Sequence, residues 1–193
     1  MELSETKKSL LNSNGNAIVL GGPGSGKTTI ALLKADKEIL LGSLKDGQKI
    51  LFLSFARATI ARVAEQAQKL LSKDCFKKIE INTYHGFTWN LLKSHGYLLR
   101  SGKQIDLRRL FFDDGLLHFD LFAEMASLLL MNSVSIRKIF CDAYPFIILD
   151  EFQDTNHDEW AFVRQLAKGS RLLALADENQ RIYEFRGADP KRI

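Results

Sequence analysis

The chain has 193 residues, 46% of them hydrophobic, with 27 lysines and arginines against 23 aspartates and glutamates, a formal charge of +4. That length suits one globular domain, and the small positive balance permits a polyanionic partner without requiring one. Two separated cysteines, Cys75 and Cys141, argue against a disulfide framework or a Cys/His zinc site and fit a reducing, cytoplasmic setting; Met1 to Ser9 lacks an apolar targeting segment, and no stretch is long and apolar enough for a membrane span.

In chain order, the first short apolar run is Ala17 to Leu20, which reads as a buried strand. It leads directly into Gly21-Gly22-Pro23-Gly24-Ser25-Gly26-Lys27-Thr28, an unbroken GxxxxGK[ST]. A second strand is expected over Ile50 to Phe55. Beyond it, Ile60, Val63, Ala64, Ala67, Leu70 and Leu71 fall at the spacing of one helix face. No single period dominates about 94–115, and a small insertion is expected there. Further strands are expected at Phe146 to Leu149 and Leu172 to Ala176. Strand alternating with helix implies an α/β fold, a parallel sheet with helices on both faces, whose ligands sit beyond the carboxyl ends of the strands.

The chemistry follows those strand ends. Glycines let backbone N–H groups turn inward around phosphates, and the next helix adds its positive N-terminal end. Gly22, Pro23, Gly24, Ser25, Gly26, Lys27, Thr28 and Thr29 are therefore the expected nucleotide-binding residues, with Lys27 on the terminal phosphates and the Thr28 hydroxyl on Mg²⁺. The run Phe146 to Leu149 ends in Asp150-Glu151. An aspartate there can hold Mg²⁺, and the adjacent glutamate can orient or deprotonate a water. An isolated Asp-Glu pair is more often a solvated turn or a helix cap; the phosphate loop upstream favours the catalytic reading.

The arrangement of motifs resembles the UvrD/Rep-type superfamily 1 DNA helicases over almost the whole chain, Ala17 to Pro190. FIILDEFQDT (Phe146 to Thr155) resembles their motif II and LALADENQRIYEFRGADP (Leu173 to Pro190) their motif III. LFLSFARATIARV (Leu51 to Val63) resembles motif Ia, INTYHGF (Ile81 to Phe87) motif Ib, and HFDLF, ending at Phe122, the segment before motif II. The resemblance implies a RecA-like P-loop NTPase domain using ATP and Mg²⁺, in an ATP-dependent helicase or translocase moving 3′ to 5′ on single-stranded DNA. It also implies that Gln180 senses the γ-phosphate, and that Phe55, Thr83, His85, Tyr183, Phe185 and Arg186 lie along the strand. Aromatic faces and cations are the chemistry that holds single strands. A phenylalanine at a strand end is as often core, however, and a lone histidine is commonly a satisfied structural group.

The sequence departs from the family in several places. The family carries an adenine-reading glutamine upstream of the loop, yet the first glutamine here is Gln48. Thr29 stands where many relatives have an arginine, Ala176 where glycine is common, and Arg181 where serine is frequent. Too few residues separate motifs Ib and II for a large duplex-contacting subdomain. The chain ends at Ile193, soon after motif III, so the expectation is one motor domain whose partner is the second RecA-like domain of the same protein. That partner would bring an arginine worth about 10³ to 10⁵ in rate in related hydrolases. The competing readings are a nucleotide kinase, disfavoured by motif III, and an ATP-gated DNA-binding or signalling module without motor activity.

Overall fold

The structure of the protein, a computed structural model, describes residues 4–96 and 121–177. Helix α1 (Glu5–Asn12) is followed by β1 (Ala17–Leu20), α2 (Lys27–Leu40), β2 (Ile50–Ser54), α3 (Arg57–Leu70), α4 (Lys73–Lys77), β3 (Ile79–Thr83) and α5 (Tyr84–His95). After the residues outside the description come α6 (Leu121–Asn132), α7 (Val134–Ala143), β4 (Phe146–Leu149), α8 (His157–Leu166) and β5 (Arg171–Ala176). The five strands form one parallel sheet in the order β1-β5-β4-β2-β3.

The central strands are apolar throughout because both their faces are covered, and their alternation sorts them into two cores. Leu51, Leu53, Ile147, Leu149, Leu172 and Ala174 face α5, α6 and α8. Ile50, Phe52, Phe146, Ile148, Leu173 and Leu175 face α2, α3 and α4. Helix α6 (LFAEMASLLLMN) is apolar on nearly every side, because it packs between α5 and α8. At the β1 edge, Ala17 and Val19 pack toward α2, whereas Ile18 and Leu20 on the opposite face are half-exposed.

Three local expectations need correction. The second strand ends at Ser54, so Phe55 lies just beyond it, and the last begins at Arg171 rather than Leu172. In α3 the buried residues are Val63 and Ala67, with Leu71 buried at its C-cap. Leu70 is 41% exposed, because the sheet and α4 cover a narrower stripe than the apolar spacing suggests. Strand β3 and helix α6 were not among the expected elements. Most of the expected insertion, about 94–115, lies outside the described residues. Among those that are described, no helix is long and apolar enough to cross a membrane.

Candidate active site

The chain leaves β1 at Leu20 and must reverse tightly to start α2 at Lys27. Gly24 (φ 72°) and Gly26 (φ 84°) take the left-handed conformation that this turn requires and that glycine adopts without steric cost. Gly26 is the N-cap of α2, and its carbonyl accepts the Ile30 amide at 2.9 Å. No side chain caps that end, which leaves first-turn amides to an outside acceptor such as a phosphate. The Lys27 ammonium is folded into the loop, where it donates to the carbonyls of Gly21 and Gly22, the latter at 3.1 Å.

Strand β4 delivers the acids. The Asp150 amide donates to the Leu53 carbonyl at 2.8 Å, carrying the β4–β2 ladder one residue past the strand. The next residue, Glu151, has φ 52° and ψ 45°, the only non-glycine positive φ among the described residues. That conformation costs about 1–2 kcal/mol for a residue with a Cβ. It is held by the Asp154 amide donating to the Glu151 carbonyl at 2.9 Å and by Gln153 Nε2 donating to Glu151 Oε2 at 2.7 Å. Gln153 is buried, and its Oε1 accepts the Asp177 amide at 2.9 Å. One glutamine therefore ties the end of β4 to the end of β5.

Because β5 lies between β1 and β4, Asp177 falls between the loop and the acidic pair, with its Oδ2 3.9 Å from Lys27 Nζ. A single cavity of about 490 Å³ is lined by the loop and α2 from Gly22 to Thr29, by Arg62 and Gln66 of α3, and by Asp150, Glu151 and Asp177. All eight expected nucleotide-binding residues thus meet the expected catalytic pair. Thr28, from α2, and Asp150, from the end of β4, both line this cavity and carry hard oxygen donors, which fits Mg²⁺, an ion that takes few protein ligands and draws the rest from phosphate and water.

Asp150 is 3% exposed, and burial followed by the charge of Glu151 pushes its carboxyl up to about 6, against the attraction of Lys27. This value lies above the ordinary 3.8, so between those limits the metal-free fold binds a proton that the unfolded chain does not, and stability falls as pH rises through that window. At pH 7 the ionised group costs on the order of 1–3 kcal/mol, so Asp150→Asn is expected to raise the metal-free melting temperature by several degrees. The gap should close as pH falls toward 4. Thermal scans of both proteins across that range check this, and equal midpoints at pH 7 would refute it.

The residues expected on the DNA strand divide. Phe55 follows β2 and is partly exposed, its ring 5.1 Å from that of Tyr84 and tilted by 40°. Thr83 ends β3 and its hydroxyl accepts the Gly86 amide at 3.0 Å, which makes it the N-cap of α5. His85 stands in the first turn of α5, partly buried. All three sit at the carboxyl edge of the sheet, on the β2–β3 side, away from the loop after β1. Gln180, Tyr183, Phe185 and Arg186 lie outside the described residues.

Sequence reasoning missed Gln153, Asp177, Arg62 and Gln66. Asp177 had a readable signal, being the first polar residue beyond an apolar strand. Gln153 did not, since its role depends on two strand ends meeting. Arg62 and Gln66 read as the solvated face of an amphipathic helix.

The sequence matches the family described as UvrD/REP helicase N-terminal domain, in two overlapping blocks, residues 3–115 and 107–193. It is 35% identical to the ATP-dependent DNA helicase Rep of Buchnera aphidicola over 79 residues, 40% of this chain and 12% of that protein. It is 36% identical to an ATP-dependent helicase/nuclease subunit of Streptococcus uberis over 63 residues, 33% of this chain and 5% of that protein. Against DNA helicase II of Rickettsia typhi the identity is 24% over an alignment of 260 positions, covering 98% of this chain and 39% of that protein. The chain thus spans well under half the length of these curated relatives.

Proposed function

The chain belongs to the UvrD/REP helicase N-terminal domain family, and from that membership we propose that it is the ATP-hydrolysing motor domain of a DNA helicase that moves along single-stranded DNA. The observation that carries this reading is one cavity holding the phosphate loop, Lys27, Thr28, Asp150 and Glu151, at the same sheet edge as Phe55 and His85.

Loop amides and Lys27 bind the β- and γ-phosphates. Thr28 and Asp150 would hold Mg²⁺, which would supply positive charge to neutralise the phosphate oxygens. Gln153 occupies one oxygen of Glu151, and the carboxylate so oriented takes the proton of a water as its oxygen attacks the γ-phosphorus and the bond to the β-phosphate bridging oxygen breaks. The products are ADP and inorganic phosphate. Gln180 senses the γ-phosphate, and a second RecA-like domain of the same protein supplies the arginine that completes charge stabilisation. Phe55, Thr83, His85, Tyr183, Phe185 and Arg186 follow the strand, and travel is 3′ to 5′.

The test is ATP turnover by the full-length protein with and without a single-stranded oligonucleotide. The strand should raise turnover of the full-length protein, while the 193-residue chain alone stays slow and unwinds nothing. Turnover by the full-length protein indifferent to DNA would favour a non-motor ATP-gated module. Fast strand-stimulated turnover by the 193-residue chain alone would contradict the need for a second domain.

A further inference from the structure

Helix α2 brings a single cation, Lys27, to the nucleotide cavity, for the two positions after it are threonines. Lys27 there faces three carboxylates, Asp150, Glu151 and Asp177. A nucleoside triphosphate is itself a multiply charged anion, so a second cation at this cavity would offset like-charge repulsion. Arg62 is in place to do so. It projects from α3 to the cavity wall, is exposed to solvent, and among the described residues its guanidinium makes no hydrogen bond or ion pair.

The position of α3 is set one turn further on. Gln66, at i+4 from Arg62 and on the same helix face, donates from Nε2 to the Thr29 hydroxyl at 2.7 Å. That bond docks α3 against the first turn of α2, the turn whose amides are open to phosphate. Thr29 is thereby engaged with α3, and Arg62 is held on the same side of the loop.

We propose that Arg62 is a second phosphate-binding cation of the nucleotide site, supplied by α3 and aligned by the Gln66–Thr29 bond. This rests on the reading of the loop as a nucleotide site. A guanidinium suits the task because its planar donors match two phosphate oxygens at once and it stays charged at every physiological pH. Its effect should scale with ligand charge, which separates it from a merely structural side chain.

Mg²⁺-ATP and Mg²⁺-ADP analogues carrying a fluorescent ribose label are titrated into wild type, Arg62→Ala, Arg62→Lys, Arg62→Glu and Lys27→Ala, with melting temperatures recorded in parallel. Arg62→Ala should weaken ATP binding roughly tenfold, the loss of one charge-assisted contact, and weaken ADP binding less. Lysine should restore part of the loss, glutamate should deepen it, and added salt should shrink all three differences. If Arg62→Ala and Arg62→Glu are folded and bind ATP as tightly as wild type while Lys27→Ala does not bind, the proposal for Arg62 falls and the nucleotide site stands. If Lys27→Ala also binds as wild type, the nucleotide is not at the loop and both fall.

Discussion

In the full-length protein, Glu151→Gln should lower ATP turnover by a factor on the order of 10² or more, the usual worth of a general base, and leave ATP binding intact. An amide has nearly the shape of the carboxylate and can still accept the Gln153 hydrogen bond, so the strained backbone of residue 151 and the cavity wall are retained. What disappears is the group that takes the proton of the attacking water. Steady-state phosphate release, paired with a fluorescent ATP titration, separates the two effects. Near-normal turnover would mean that another residue activates the water; loss of binding would mean that Glu151 holds the ligand and is not the base.

What could be read from the sequence was what is local. The loop and the Asp150-Glu151 pair are runs of adjacent residues, and each follows an apolar strand; where both faces of the strand are buried, as in β2 and β4, the hydrophobic run is uninterrupted. Strand β3 escaped because it is a short edge strand: only Ile79 is buried, and IEINT alternates apolar with polar residues over too few positions to stand out beside the continuous apolar runs of β2 and β4. Helix α6 escaped for the opposite reason. Buried on almost every side, it has no polar face to give a helical period.

The site was half legible for a related reason. Gln153, Asp177 and Arg62 matter because β5 inserts between β1 and β4 and because α3 leans on α2, and a sheet order leaves no mark in any local window. Thr83 shows the limit of a motif taken alone: its hydroxyl caps α5, so any contact with DNA comes on top of a structural task.

The most direct test is an equilibrium titration of a fluorescent ATP analogue, with Mg²⁺, into wild type and Lys27→Ala. Among the described residues, Lys27 is the one cation lodged against the Gly21 and Gly22 carbonyls. Lys7 donates to the Ser25 carbonyl at 3.3 Å from the α1 side, and Arg62 reaches the cavity from α3, so neither replaces a cation lodged among the Gly21 and Gly22 carbonyls. Removing an ammonium that meets two phosphates forfeits charge-assisted contacts worth about 1.5–3 kcal/mol each, a loss on the order of 10²-fold or more. The expected result is saturable binding by wild type and none by Lys27→Ala at matched concentrations, with both proteins folded. Equal binding by the two would contradict the nucleotide site on which the motor function depends.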